Sequence, residues 1–153
     1  MIPFIKQKNK SPIEIPVDVT NVLKTLQNNG FETFLVGGCV RDILSNKQPK
    51  DWDITTQATP ETIQKLFPDS FYTNTFGTVG VKTTTLGVIE VTPFRVEGIY
   101  SDGRRPDNVS FTLNIQEDLK RRDFTINAIA YDPIADILVD PFSGLRDIEQ
   151  CLI

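Results

Sequence analysis

The spacing of apolar side chains divides the chain into short helices and strands. A helix is predicted over residues 17–29, because apolar side chains recur there every three or four residues and Gly30 supplies a stop signal. Those apolar positions are Val19, Val22, Leu23 and Leu26. Residues 33–36 then predict a short buried strand that runs directly into two glycines.

The remaining elements follow from the same patterns and from turn residues. Helices are predicted over 40–45, 60–67, 115–122 and 123–130, and strands over 51–55, 79–83, 88–94 and 137–139. Thr59 is the expected cap of the second of these helices, and Asp123 that of the last. The mixture lacks strict strand–helix alternation. It predicts an α+β fold with a small mixed sheet and helices packed on one side.

Two segments are predicted to lie outside this regular structure. Residues 1–16 carry three prolines and scattered lysines, which is typical of an extended arm or a short strand, and 17–153 form the domain proper. Residues 98–108 are polar and contain Gly, Pro, Asp and two arginines. Such a composition predicts a mobile loop.

The composition indicates an ordinary globular domain. The chain has 153 residues, of which 39% are hydrophobic and 24% charged, enough for one domain with a sizeable core. No apolar run approaches the roughly 20 residues that cross a bilayer, and the N-terminus lacks the apolar run of a signal peptide. We therefore expect a cytoplasmic protein with no membrane partner. Cys39 and Cys151 match no metal-ligand spacing, and reduced thiols are favoured over a disulfide.

The absence of histidine narrows the chemistry. It excludes Ser-His-Asp and Cys-His catalysis and the zinc motifs built on histidine. Any reaction must depend on carboxylates, lysine, arginine, hydroxyl groups or a hard metal ion. The net charge of −4 argues against general nucleic-acid coating, but Arg104-Arg105 and residues 120–122 form local basic clusters suited to phosphates.

Gly37 and Gly38 follow a predicted strand and precede a predicted helix. Backbone N–H groups at such a junction can receive phosphate oxygens, and glycine lets a ligand approach closely. Arg41 would add a charged contact. Taken alone, the two glycines are explained more simply by a tight strand-to-helix turn without any ligand.

Asp51 and Asp53 are two residues apart, which places both carboxylates on one face of a strand while Trp52 faces the other way. Two adjacent anions repel each other unless a cation intervenes. Oxygen ligands of this kind favour Mg²⁺. Glu90, in the predicted hairpin, is a candidate third acid for a two-metal phosphoryl-transfer site. Ordinary surface carboxylates remain the alternative.

Residues 120–130, KRRDFTINAIA, place arginines just ahead of a predicted helix. Arginines in that position can pair with a triphosphate, whose charge requires several donors. Thr125 and Asn127 could equally be structural hydrogen-bonding residues.

Taken together, these segments resemble the class II tRNA nucleotidyltransferases and bacterial poly(A) polymerases of the polymerase β superfamily. The matching stretches are LVGGCVRDIL (35–44), KDWDITTQATPE (50–61), IEVTPFR (89–95), DGRRP (102–106) and EDLKRRDFTINAIAYD (117–132). Their order and spacing agree from about Phe31 onward.

The resemblance implies a role for each matching residue. Asp51 and Asp53 correspond to the metal-binding aspartates, and Glu90 to the third catalytic carboxylate. The positions that correspond to nucleotide-binding residues are Gly37, Gly38, Arg41, Arg122, Asp123 and Asn127. The segment Asp102, Gly103, Arg104 and Arg105 resembles a flexible loop that favours a CCA-adding or A-adding enzyme.

The implied reaction is Mg²⁺-dependent, in-line attack by the 3′ hydroxyl of a tRNA on the α-phosphate of ATP or CTP, with release of pyrophosphate. A poly(A) polymerase, or a head that binds nucleotide without turnover, are the alternatives. The family's base-reading Glu-Asp-x-x-Arg motif does not occur before Ile153. We therefore expect a head fragment, which depends on neck, body and tail domains for base selection and tRNA grip.

Overall fold

The computed structural model describes residues 4–6, 13–73, 76–97 and 109–152. The helices in these ranges are α1 (Val17–Asn28), α2 (Gly38–Leu44), α3 (Pro60–Leu66), α4 (Ile115–Lys120) and α5 (Gly144–Glu149), with one 3₁₀ turn at Thr125–Asn127. The strands are β1 (Phe4–Lys6), β2 (Thr33–Val36), β3 (Asp53–Thr56), β4 (Ser70–Tyr72), β5 (Val79–Lys82), β6 (Val88–Pro93), β7 (Arg95–Glu97), β8 (Val109–Phe111), β9 (Ala130–Asp132) and β10 (Ile137–Val139).

Eight of these strands form one mixed sheet. Their order is β1-β10-β9-β2-β3-β6-β5-β4, and β7 and β8 form a separate antiparallel pair. Within the described ranges, β3 and β6 are the parallel neighbours, whereas the other pairs are antiparallel. The predicted α+β class with a mixed sheet is confirmed.

The two faces of the sheet carry different partners. Strand β2 is buried throughout, and alternate side chains enter different cores. Leu35 joins the larger core beneath α1, α2 and α3, to which Leu145 and Ile148 of α5 are added; we call this side the helix face. Phe34 and Val36 point to the opposite side, where Ile115 and Leu119 of α4 cover them; we call this side the α4 face. The helices thus gather on one side as predicted, and only the short α4 lies on the other within the described residues.

Several local predictions are confirmed in detail. Helix α1 buries the four apolar residues that predicted it. Helix α3 begins at Pro60, and the Thr59 side chain accepts a hydrogen bond from the backbone N–H of Thr62 at 3.3 Å. The predicted hairpin forms, with β5 antiparallel to β6. Cys39 is buried and Cys151 is exposed, and neither forms a disulfide.

The helix predicted from Asp123 to Ala130 is wrong. Only the 3₁₀ turn forms, and the Asp123 side chain caps nothing there, since Phe124 is the residue at the cap position. The chain then enters β9, where Ala130 and Tyr131 pair with β2 on one side and with β10 on the other. Ala130 and Tyr131 are buried in the cores on opposite faces of the sheet, so this short apolar run resembles a buried helix in sequence.

Two predicted segments lie largely or wholly outside the described residues. The loop over 98–108, with Asp102, Gly103, Arg104 and Arg105, is one of them. Of the N-terminal arm, residues 4–6 form β1, which pairs with β10. No helix among the described residues is both long enough and apolar enough to cross a bilayer.

Candidate active site

Asp53 and Glu90 are direct partners in the parallel pairing of β3 with β6. Paired residues on neighbouring strands point to the same side of a sheet. That side is the α4 face, because Ile54, the next residue of β3, belongs to the core of the helix face. The sequence therefore located two acids that the fold brings together.

Asp51 lies just before β3, which begins two residues later than predicted, and it is exposed. Trp52 separates the two aspartates and is 6% exposed within the core of the helix face, so it faces away from them as predicted. All three predicted carboxylates nevertheless border one cleft of about 460 Å³. Its lining residues are Lys50, Asp51, Trp52, Asp53, Leu86, Val88, Ile89 and Glu90.

The electrostatics of this cleft favour a bound cation. Burial raises the pKa of Asp53, and the charges of Glu90 and, to a smaller extent, Asp51 raise it further, whereas Arg122 lowers it. An ionised Asp53 is therefore held under repulsion at neutral pH. A cation between the carboxylates relieves that repulsion.

Arg122 lies beside the acid pair and the turn at Gly37. A Cβ atom at Gly37 would be 3.3 Å from Nη1 of Arg122 and 3.9 Å from Oδ2 of Asp53. Gly37 also has a φ of 76°, which favours glycine independently of the crowding. The Arg122 side chain is 19% exposed, and its buried Nε has no hydrogen-bond partner among the described residues. A largely buried guanidinium group thus lies beside Gly37 and Asp53.

Asp118 holds this arginine, and sequence reasoning assigned it no role. Its carboxylate is fully buried, 3.1 Å from Nε of Arg121 and 3.7 Å from Nη2 of Arg122. It also accepts hydrogen bonds from the Thr55 hydroxyl at 3.3 Å and from the backbone N–H of Arg95 at 3.2 Å. Asp118 therefore ties the strand that bears Asp53 to the arginines after α4. In the sequence, Asp118 stands three residues before Arg121 and four before Arg122, and this helical spacing could have indicated the contact.

Arg41 and Asn127 form a second contact between predicted nucleotide-binding residues. Nη1 of Arg41 donates to Oδ1 of Asn127 at 3.1 Å, and its Nε and Nη2 both donate to Oδ1 of Asp42. Gly38 lies directly beneath, since a Cβ there would be 3.4 Å from Nη2 of Arg41. Helix α2 and the 3₁₀ turn are thereby joined by side chains.

Asp123 stands apart from these groups. It is exposed and borders a different cleft, together with Phe124, Thr125, Ile126, Asp147 and Leu152. Among the described residues, no three Asp, Glu or Cys side chains are close enough to form a complete metal site by themselves. Any metal held at Asp53 and Glu90 must take further ligands from water or substrate.

A solved structure shares this architecture. The CCA-adding enzyme of Bacillus stearothermophilus, in complex with CTP, superposes with a TM-score of 0.75 at 37% identity, over 86% of this chain and 31% of that one. The fold is therefore the polymerase β-like nucleotidyltransferase fold. Residues 33–153 match the family model of the Poly A polymerase head domain, and the chain belongs to that family.

Curated relatives are similar to this chain over most of its length. The chain is 46% identical over 138 residues to a CCA-adding enzyme of Lactobacillus helveticus, covering 86% of this chain and 33% of the relative. It is 43% identical over 150 residues to the CCA-adding enzyme of Geobacillus kaustophilus, covering 94% and 35%. The chain thus spans about a third of the length of these relatives.

Proposed function

We propose that this chain is the catalytic head of an enzyme that adds CMP and AMP to the 3′ end of tRNA. The observation that carries the proposal is the pairing of Asp53 with Glu90 in one cleft with Asp51, beside the largely buried guanidinium of Arg122. The name shared by the relatives, CCA-adding enzyme, supports tRNA as the acceptor and CTP and ATP as nucleotide substrates. We also propose that the reaction takes place in the cytoplasm.

The carboxylates fit a divalent cation, and we assign Mg²⁺. The ligands are oxygen atoms, and the raised pKa of Asp53 reflects partly the repulsion that a cation relieves. Magnesium is usually bound by one or two carboxylates together with substrate phosphates and water, which suits a cleft without a complete protein site. Asp53 and Glu90 would hold it, with Asp51 at the margin. When bound, Mg²⁺ neutralises charge on the phosphates and acidifies the attacking hydroxyl.

The basic residues would bind the nucleotide. Arg122 faces Gly37 and Asp53, so its guanidinium group can meet phosphate oxygens at the edge of the cleft. Arg41, oriented by Asn127, would add a second contact close to Gly38. The 3′ hydroxyl of the RNA then attacks the α-phosphorus in line as the bond to pyrophosphate breaks. Asp123 stays a predicted nucleotide contact, and the segment Asp102, Gly103, Arg104 and Arg105 stays a predicted flexible loop that lies outside the described residues.

Base selection and grip on the tRNA body are assigned to further domains of the complete protein. The relatives are about three times as long as this chain, which leaves room for such domains. The described cleft is lined by carboxylates, Lys50 and mainly apolar side chains, without the side-chain amide groups that read a base edge.

Incorporation of nucleotide into RNA tests the proposal. The complete protein is incubated with tRNA that lacks its 3′ end and with labelled CTP, ATP or both, and the products are sized. Addition that stops after a few nucleotides supports CCA addition, whereas a long adenosine tail would indicate the alternative, poly(A) synthesis. Replacing Asp51 and Asp53 by Ala should abolish incorporation. Retained activity in that variant would disprove the assignment of the site.

Calorimetry with ATP and CTP, with and without Mg²⁺, separates binding from turnover. Binding without any incorporation by the complete protein would favour a nucleotide-binding module instead.

A further inference from the structure

The α4 face extends past the acid pair towards the edge of the sheet. Glu90 of β6 is the register partner of Gly80 in β5, and Gly80 is the partner of Phe71 in β4. With Asp53, these residues form a single row across four neighbouring strands. Register partners share a face, so Phe71 lies on the same side as the carboxylates.

The ring of Phe71 is seated on Gly80. A Cβ atom at Gly80 would be 2.9 Å from Cζ of Phe71 and 3.0 Å from both Cγ2 of Thr73 and Cγ1 of Val88. Gly80 lies within β5 and does not have a positive φ, so space rather than backbone conformation requires a glycine there. Phe71 is nevertheless 40% exposed, although its ring packs closely on Gly80.

The side chains on the two sides of the carboxylates differ. Arg122 and the turn at Gly37 lie on one side, which suits the triphosphate. On the other side lie Phe71 and Val88, both exposed, and Lys82, whose ammonium group is 3.3 Å from Asp69. In-line displacement requires the attacking hydroxyl to approach opposite the leaving pyrophosphate. The end of the RNA must therefore lie over β6, β5 and β4.

From this row we infer that Phe71, seated on Gly80, is a stacking platform for the terminal base of the RNA acceptor. The inference rests on the proposed function and assigns the acceptor side of the same site. Neighbouring strands are about 4.8 Å apart, so the ring over Gly80 lies within one nucleoside of Glu90. Stacking on an aromatic ring tolerates every base, since each base has a π-face. An acceptor whose terminal base changes with each addition requires that tolerance.

Lys82 supports the platform from the side. Its ammonium group is 6.0 Å from the centroid of the Phe71 ring, at the outer limit of a cation–π contact. It is 55% exposed and can also attract the RNA backbone. Salt should therefore weaken RNA binding without removing the contribution of the ring.

Steady-state kinetics of the complete protein test the platform. Phe71→Ala should raise KM for a tRNA lacking its terminal nucleotides by about 5- to 30-fold, which is in the range of a lost base–aromatic stack. The KM for CTP should not change, and Phe71→Trp should restore the KM for RNA. An unchanged KM for RNA in Phe71→Ala would overturn the inference, as would a loss of thermal stability alone.

Phe111 offers a matched control. It is also an exposed phenylalanine, 49% accessible, and its Cζ would lie 2.9 Å from a Cβ at Gly77, yet it belongs to β8 and not to the row of carboxylates. Phe111→Ala should leave the KM for RNA unchanged. Equal increases in both alanine variants would overturn a specific role for Phe71.

Two further measurements separate this inference from the proposed function. Gly80→Ala should weaken RNA binding in the wild-type background but much less in the Phe71→Ala background, because both changes act on one ring. If the effects of Gly80→Ala and Phe71→Ala on RNA binding add fully, the two residues act independently, which would contradict the packing of the ring on Gly80. Without nucleotide, the affinity for a 5′-labelled RNA, measured by fluorescence anisotropy, should be lower in Phe71→Ala than in the wild type. Binding needs no turnover, so it decides on the platform even if incorporation fails; equal affinities would overturn the inference.

Discussion

The two faces of the sheet divide stability from chemistry. The core of the helix face is a large cluster of buried hydrophobic side chains, whereas the α4 face carries Asp53, Glu90 and the buried carboxylate of Asp118. A single strand such as β3 serves both sides by alternation, with Ile54 in one core and Asp53 and Thr55 on the other face. Polar groups that chemistry needs are thereby kept out of the larger core.

The largest expected effect is on the α4 face. Asp53→Asn should lower kcat for nucleotide incorporation by about 10³-fold or more, because a metal ligand contributes several kcal/mol to the transition state. Without divalent cations the variant should be at least as stable as the wild type, since it removes repulsion with Glu90. Incorporation assays and thermal unfolding check both parts. A variant that is inactive because it is unfolded would contradict the division between the faces.

On the helix face, we expect a substitution to lower stability without lowering activity. Leu23 is 0% exposed, so Leu23→Ala should lower the free energy of unfolding by roughly 2–5 kcal/mol through lost burial and a cavity. Activity per folded molecule should be unchanged below the unfolding temperature. Leu113→Ala is the control, because that side chain is 74% exposed and should cost less than about 0.5 kcal/mol. Urea unfolding measures both.

A substitution at Asp118 should affect both nucleotide binding and stability. Asp118→Asn keeps the shape of the side chain but removes the charge that faces Arg121 and Arg122. We expect the KM for CTP to rise about 10-fold, equivalent to one charge-assisted hydrogen bond, together with a loss of stability. Glu117→Gln, at the exposed neighbour that bonds Thr112, should change neither. An Asp118→Asn variant with lower stability but a normal KM would mean that Asp118 does not position Arg122.

The smallest effect concerns pH. Burial, followed by repulsion from Glu90, raises the pKa of Asp53 above its ordinary value of 3.8. A raised folded-state pKa stabilises the protein below pH 3.8, and this contribution is lost as the pH rises through the folded-state value. Without divalent cations, Asp53→Asn should therefore gain stability relative to the wild type between about pH 4 and neutrality. Urea unfolding in EDTA measures the difference; the opposite slope would show that Asp53 is stabilised as a carboxylate without metal.

The sequence predicted the elements whose signals are local. Helix α1 has a regular apolar spacing and α3 has its cap, and both were confirmed close to their predicted bounds. Asp53 and Glu90 could be identified as candidate metal-binding acids from the sequence, because each lies within a short contiguous motif. The helix predicted over 123–130 did not form, and β9, which begins at its last residue, was not predicted, because only the pairing of β9 with β2 and β10 identifies it as a strand.

The parts of the site that were missed depend on long-range contacts. Asp118 meets Thr55 and the backbone of Arg95, which are distant in sequence. Phe71 meets Gly80 through the register of an edge strand, and no spacing rule indicates that register. The proposed metal and nucleotide ligands lie in contiguous motifs, whereas Asp118 and Phe71 are found from contacts that the fold creates.

The parallel pairing of β3 with β6 has a consequence for biogenesis. Between these strands the chain forms α3, β4 and β5, so β6 can dock beside β3 only after that intervening unit has folded back. Closing such a long loop is slow compared with forming a hairpin. A nascent or partly unfolded chain therefore holds its two acids apart, and the capacity to capture a doubly charged ion should appear only with the finished sheet.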